Sequence, residues 1–109
     1  MASDDPIQFQ PVLLILISLA DKPKHGYAIM QDVRSLTGWE MRPGTLYGAL
    51  GRMDRSGWIE EAQTADYRRR PYALTAAGRQ ELRHQLEVLE TLTREAAKRV
   101  KSRPLRRRA

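Results

Sequence analysis

Along the last third of the chain, Leu82, Leu86, Leu89, Thr93, Ala96 and Val100 recur at spacings of 4-3-4-3-4. This is a heptad seam, a narrow stripe that finds its complement in another helix. Thr75 is a suitable N-cap for the helix that carries it, which is predicted from Ala76 to about Lys101. Pro104 stops any helix in the tail. A chain of 109 residues has room for one domain with a modest core. A chain this short often completes that core with a second copy of itself. The expectation is a homodimer, with residues 76–101 as the dimerisation helix and residues 102–109 as a basic tail.

The remaining residues divide into short elements. Residues 1–8 read as a loose terminus. Pro11 suits the first turn of a helix in which Val12, Leu13, Ile15, Leu16 and Leu19 are too apolar for a surface, so residues 10–20 are also expected at the dimer interface. After the turn Asp21-Lys22-Pro23-Lys24, a second helix opens at His25-Gly26-Tyr27 and runs to about Thr37, with Ile29, Val33 and Leu36 inward, Met30 beside them and Gly38 as the C-cap. Trp39 to Arg42 is a short connector. Pro43 begins a third helix that ends near Ser56 and Gly57, with Leu46, Leu50 and Met53 as its buried stripe. Trp58 to Gln63 and Arg69 to Leu74 read as two short strands around the loop 64–68, and Pro71 gives the second an exposed edge. Two helices on a tight connector, then a hairpin, describe a winged helix-turn-helix, so the fold class is mainly α with a small β-hairpin, residues 1–75 forming the DNA-binding domain.

Composition removes several functions. The absence of cysteine rules out disulfides, thiolate catalysis, Cys-type zinc sites and thiol redox sensing. His25 and His84 lie far apart without ligand spacing, so no metal is expected. Glu60 and Glu61 are neighbours on a strand, where side chains point apart, which is wrong for a catalytic carboxylate pair. No nucleophile elbow, P-loop or dinucleotide fingerprint is present, and neither an enzyme nor a cofactor is expected. The apolar run Val12–Leu19 is too short for a bilayer and follows no basic stretch, so neither membrane association nor a signal peptide is expected, and a cytoplasmic location is.

The formal charge of +6 is misleading on its own. Lys98, Arg99, Lys101, Arg103, Arg106, Arg107 and Arg108 supply seven of the 19 basic residues, with no acid among them. The rest of the chain is close to neutral, so a case for DNA depends on local pattern. With its apolar stripe inward, the third helix turns Thr45, Gly48, Arg52 and Arg55 outward, with Tyr47 at the flank. Arginine can fork onto guanine and hydroxyls can hold phosphate; of the two arginines, Arg52 is read as the DNA contact. Tyr67-Arg68-Arg69-Arg70 is the clustered basic run of the body and suits a phosphate rail or a narrow minor groove. Trp39 and Trp58 read as core.

Four separated segments carry a resemblance: His25-Gly26-Tyr27-Ala28-Ile29, Pro43-Gly44-Thr45-Leu46-Tyr47-Gly48-Ala49-Leu50, Gly57-Trp58-Ile59, and the stretch from Arg68 to Arg79 reading RRRPYALTAAGR. In this order, over about residues 12–100, the chain resembles the PadR family. The resemblance implies a dimeric transcriptional regulator of double-stranded DNA, usually a repressor, whose last helix dimerises and packs on the partner's first helix. It places Tyr47 at the groove-facing start of the recognition helix, which favours a phosphate contact; Tyr27 reads equally as a phosphate contact or as a core-edge residue. Departures are Gly48 and Gly51, where the family carries larger side chains, and a loop 64–67 without the usual glycines. Some family members stack flat drugs between aromatics at the dimer interface; the long helix here has no aromatic residue, and the inducer is left unspecified. The alternative is a winged-helix module that binds protein without reading DNA. It gains if Tyr47 is buried and the wing arginines are paired with acids.

Overall fold

The structure is a computed structural model that describes residues 10–62 and 70–102. The elements are α1 (Pro11–Ser18), α2 (Gly26–Thr37), α3 (Pro43–Arg55), β1 (Ile59–Glu61), β2 (Tyr72–Leu74) and α4 (Ala76–Ser102). Pro11 opens α1 at a position where its missing N–H costs nothing. Leu13, Leu14, Ile15 and Leu16 are all buried in succession, because α1 has α2, α3 and α4 around it, while Val12, Ile17 and Ala20 of the same segment are only partly buried. Ile29 and Val33 of α2, and Leu46, Ala49, Leu50 and Met53 of α3, close over it. Gly38 and Gly57 end α2 and α3 at φ 79° and 77°, a left-handed backbone that glycine enters without a Cβ clash.

Two core assignments change. Leu36 stays on the stripe of Ile29 and Val33 but is 58% exposed, because it lies in the last turn of α2, past the end of the core. Met41 of the connector is buried instead, at 4%.

The hairpin pairs Ile59 with Leu74, Glu60 with Ala73 and Glu61 with Tyr72. Its second strand also bonds the α1–α2 turn: Lys24 N–H donates to the Tyr72 carbonyl at 3.1 Å and Tyr72 N–H to the Lys24 carbonyl at 2.8 Å. The outer edge of β2, expected to be exposed, is therefore partly occupied. The Lys24 ammonium meets the Ser18 carbonyl, Asp21 at 2.6 Å and Asp32 at 3.9 Å, while Ser18 Oγ donates to Asp32 at 2.7 Å. A sequence segment that reads as a plain turn thus ties α1, α2 and the hairpin together.

At the head of α4, Thr75 Oγ1 accepts the Gly78 N–H at 3.0 Å and donates to the Gly57 carbonyl at 2.6 Å. Its own N–H donates to the Trp58 carbonyl at 3.0 Å. Arg79 reaches the Ala20 carbonyl at the end of α1, at 3.1 Å. Leu82, expected on the dimer seam, is 8% exposed and belongs to the chain's own core, so the open part of the seam begins at Leu86. With 27 residues, α4 is about 40 Å long and extends well beyond that core. No helix among the described residues is long and apolar enough to cross a membrane.

Two glycines should respond oppositely to alanine. A Cβ on Gly78 would be driven into the Trp58 carbonyl oxygen, which is backbone and cannot swing away. Gly78→Ala is expected to cost roughly 2 kcal/mol or more. Gly44 is helical with nothing near its would-be Cβ, so Gly44→Ala should gain up to about 1 kcal/mol. Thermal melts of the two variants beside the wild type check both signs.

Tyr72 supplies a pH signature. Burial pushes its phenol above the ordinary tyrosine value, and Glu61, Tyr47 and Asp54 push it the same way. A raised folded-state value means that the contribution is fully present below the ordinary tyrosine range and is lost as pH rises through the raised value. Denaturant melts in alkali should show this loss of stability, and Tyr72→Phe should flatten it.

Candidate nucleic-acid interface

The face of α3 is set by its core contacts. Leu46, Ala49, Leu50 and Met53 are buried, so the opposite side is turned out, and Thr45, Tyr47, Gly48, Arg52 and Arg55 are exposed there. Tyr47 is 52% exposed although its ring lies over the start of α2. On α2, Tyr27 is 62% exposed and its hydroxyl accepts a 3.1 Å hydrogen bond from Gln31 Nε2. Thr45, Tyr47 and Arg52 thus share one helix, and Tyr27 stands on the neighbouring helix beside the residue that Tyr47 covers.

Charge on this surface is mixed. A groove of about 690 Å³ runs between α2 and the connector, with Tyr27, Gln31, Arg34, Trp39 and Arg42 on its walls. Arg34 pairs with Glu40 at 3.3 Å on this rim. Gln31 and Arg34 follow Tyr27 at four and seven residues, one helix face. That spacing is the sequence signal for Gln31 and Arg34, whereas Arg42, at the N-cap of α3, carries no such periodic mark. On the other side of α3 a notch of about 240 Å³ separates it from the hairpin, lined by Tyr47, Gly51, Asp54, Glu61 and Tyr72.

Of the wing arginines, Arg68 and Arg69 lie outside the described residues. Arg70 stands at the foot of the hairpin and pairs with Glu61 at 3.5 Å, both side chains partly exposed. Among the described residues no group of His, Cys, Asp and Glu could hold a metal ion.

Of the seam residues, Leu86, Leu89 and Val100 are 40%, 37% and 74% exposed, and Thr93 and Ala96 are exposed beside them. Val88 and Leu92, which the strict heptad leaves out, are also exposed, so the open apolar face of α4 is wider than the seam.

Comparison with known proteins agrees with this fold. Residues 15–84 match the transcriptional regulator PadR-like family. A transcriptional regulator of Mycobacterium tuberculosis is 40% identical over 85 residues, covering 76% of this chain and 78% of that protein. A 37.1 kDa protein in a Streptomyces fradiae transposon is 37% identical over 81 residues; the match covers 74% of this chain but spans 23% of that larger protein. Among solved structures, a transcriptional regulator from Clostridium thermocellum superposes with a TM-score of 0.74 at 27% identity, over 84% of this chain and 90% of that one. A PadR family transcription regulator from Clostridium difficile has the same fold, with a TM-score of 0.73 at 24% identity over 84% of this chain and 99% of that one. The fold, the outward face of α3 and the match over most of the chain lead to one assignment: this chain belongs to the PadR-like family of transcriptional regulators.

Proposed function

We propose that the chain is a homodimeric, sequence-specific DNA-binding repressor that acts in the cytoplasm on a near-palindromic operator. The observation that carries this reading is the solvent side of α3, away from its buried stripe, where Thr45 and Arg52 stand seven residues apart on one flank and Tyr47 is exposed on the other. Arg52 is the base reader, since a guanidinium can fork onto guanine in the major groove. Thr45, Tyr47 and Tyr27 hold phosphate through their hydroxyls and fix the register of the helix. Arg68, Arg69 and Arg70 serve as the wing's phosphate or minor-groove contacts.

Dimerisation uses the open face of α4. Leu86, Leu89, Thr93, Ala96 and Val100 present an apolar stripe to water in the single chain, and burying each leucine is worth roughly 1.5–3 kcal/mol. A two-fold pair of α4 helices, each beside the partner's α1, removes that stripe from water and presents two copies of α3. Their half-sites then lie roughly one DNA turn apart, or a multiple of it.

One observation favours the protein-binding alternative: Arg70 already faces Glu61. Tyr47, which that alternative needs buried, is half exposed, and this supports DNA as the first choice.

Two experiments test the proposal. Leu86→Glu combined with Leu89→Glu should give monomer or unfolded chain in sedimentation; an unchanged dimer would remove the seam from the interface. Arg52→Ala should relax preference at one position of each half-site and cost about 1–3 kcal/mol there. Selection from random duplexes reads this directly, and an unaltered motif would mean that Arg52 reads no base.

A further inference from the structure

Gly26 is the first residue of α2, buried, and free of the dihedral demand that explains Gly38 and Gly57: positive φ occurs at those two glycines alone among the described residues. Ordinary helical backbone accepts alanine better than glycine. What excludes a side chain at position 26 is space. A Cβ there would lie 2.5 Å from Tyr47 Oη, 3.1 Å from Tyr47 Cζ and 3.2 Å from Leu46 Cδ2. The nearest two atoms both belong to the outer end of the Tyr47 ring. That ring is half exposed, so it has open solvent to move into. A methyl group at position 26 therefore displaces the phenol and leaves the backbone in place. At Gly78, by contrast, the obstacle is backbone.

We infer that Gly26 is a positioning residue: its bare Cα is the seat that holds the Tyr47 hydroxyl against the start of α2, next to Tyr27. The seat lets one residue of α2 set the height of a hydroxyl carried by α3, so the two helices present their contacts as one surface. This inference rests on the proposed reading of Tyr47 as a phosphate contact. It adds that the contact is set from a different helix, by a residue that touches no DNA.

The test is a double-mutant cycle with a readout that needs no DNA. Gly26→Ala should melt near the wild type and remain in the same oligomeric state. The Tyr47 ring resonance in a tyrosine-labelled sample, assigned by its loss in Tyr47→Phe, should shift. Affinity for a fluorescent duplex of random sequence, which suffices because phosphate contacts carry no sequence information, should fall roughly tenfold, the scale of one hydrogen bond to a charged group. In a Tyr47→Ala background the same Gly26→Ala change should alter affinity less than about twofold, because nothing is left to displace. Equal losses in both backgrounds would overturn the inference, as would an unshifted Tyr47 resonance. If Gly26→Ala fails to fold, recovery of folding with Tyr47→Ala supports the seat, and failure of the double variant overturns it. If the wild type binds no duplex while the Tyr47 resonance still moves, the seat stands and the DNA reading of Tyr47 falls.

Discussion

The contact on which the rest depends is the closure of Thr75 and Gly78 onto Gly57 and Trp58. It joins the head of α4 to the foot of α3 through two hydrogen bonds from Thr75, whose hydroxyl also caps the Gly78 N–H, and through a glycine that leaves no room for a side chain. A helix that extends far beyond the core would otherwise be a lever on a flexible joint. Here its first turn is fixed to the end of the helix that presents Thr45, Tyr47 and Arg52. On the proposed reading, the angle between two copies of α4 then becomes the spacing between two copies of α3. Arg79, bonded to the end of α1, restrains the same joint from the other side.

A second constraint is the shortage of interior. Leu13 to Leu16 are buried by α2, α3 and the first turns of α4, while Val12, Ile17 and Ala20 beside them stay only partly covered. From Leu86 onward the apolar residues of α4 are exposed, and they continue to Val100. The radius of gyration of 17.4 Å, against about 13 Å for a compact chain of this length, measures how far that helix leaves the body. The exposed width from Leu86 round to Val88 and Leu92 exceeds what one facing helix covers, which suits the proposed pairing with both α4 and α1 of a partner.

Much of this was legible in the sequence because the signals were periodic or were punctuation. Pro11, Pro43, Gly38, Gly57 and Thr75 mark helix ends whose chemistry is local, and the structure places ends at each of them. The stripe of α3 follows directly from spacing. What escaped was non-local. Leu36 has the right period, but period does not say where a core ends. Met41 lies in a connector with no period to read. Lys24 bonds a strand 48 positions later through a single bridge, and no local pattern announces such a rung. Leu82 fits the heptad and also fits the core, and only packing decides between them. On α3, the exposure of Thr45, Tyr47 and Arg52 followed from the helix face, whereas the approach of Tyr47 to Gly26 needed two helices to meet.

If the proposed contacts hold, electrostatics explains why their positioning matters. Outside the C-terminal basic cluster the chain is close to neutral, and acids stand beside the outward face of α3: Asp54 seven residues on from Tyr47 along the same helix, Glu61 across the notch, and Glu40 against Arg34. Binding to DNA driven by bulk charge would be sequence-independent and steeply salt-dependent. Acids beside the contact surface weaken that general attraction at every site, correct or not. A contact made in the right register keeps its full value only where the phosphates and base edges coincide with the fixed side chains. On the proposed reading, a mixed surface of this kind trades affinity for discrimination, and discrimination works only if the hydroxyls and guanidinium groups are held still. Half-exposed side chains such as Tyr47 and Tyr27 are not held by burial alone. The glycine seat under the first and the Gln31 hydrogen bond on the second are the local contacts that restrain them.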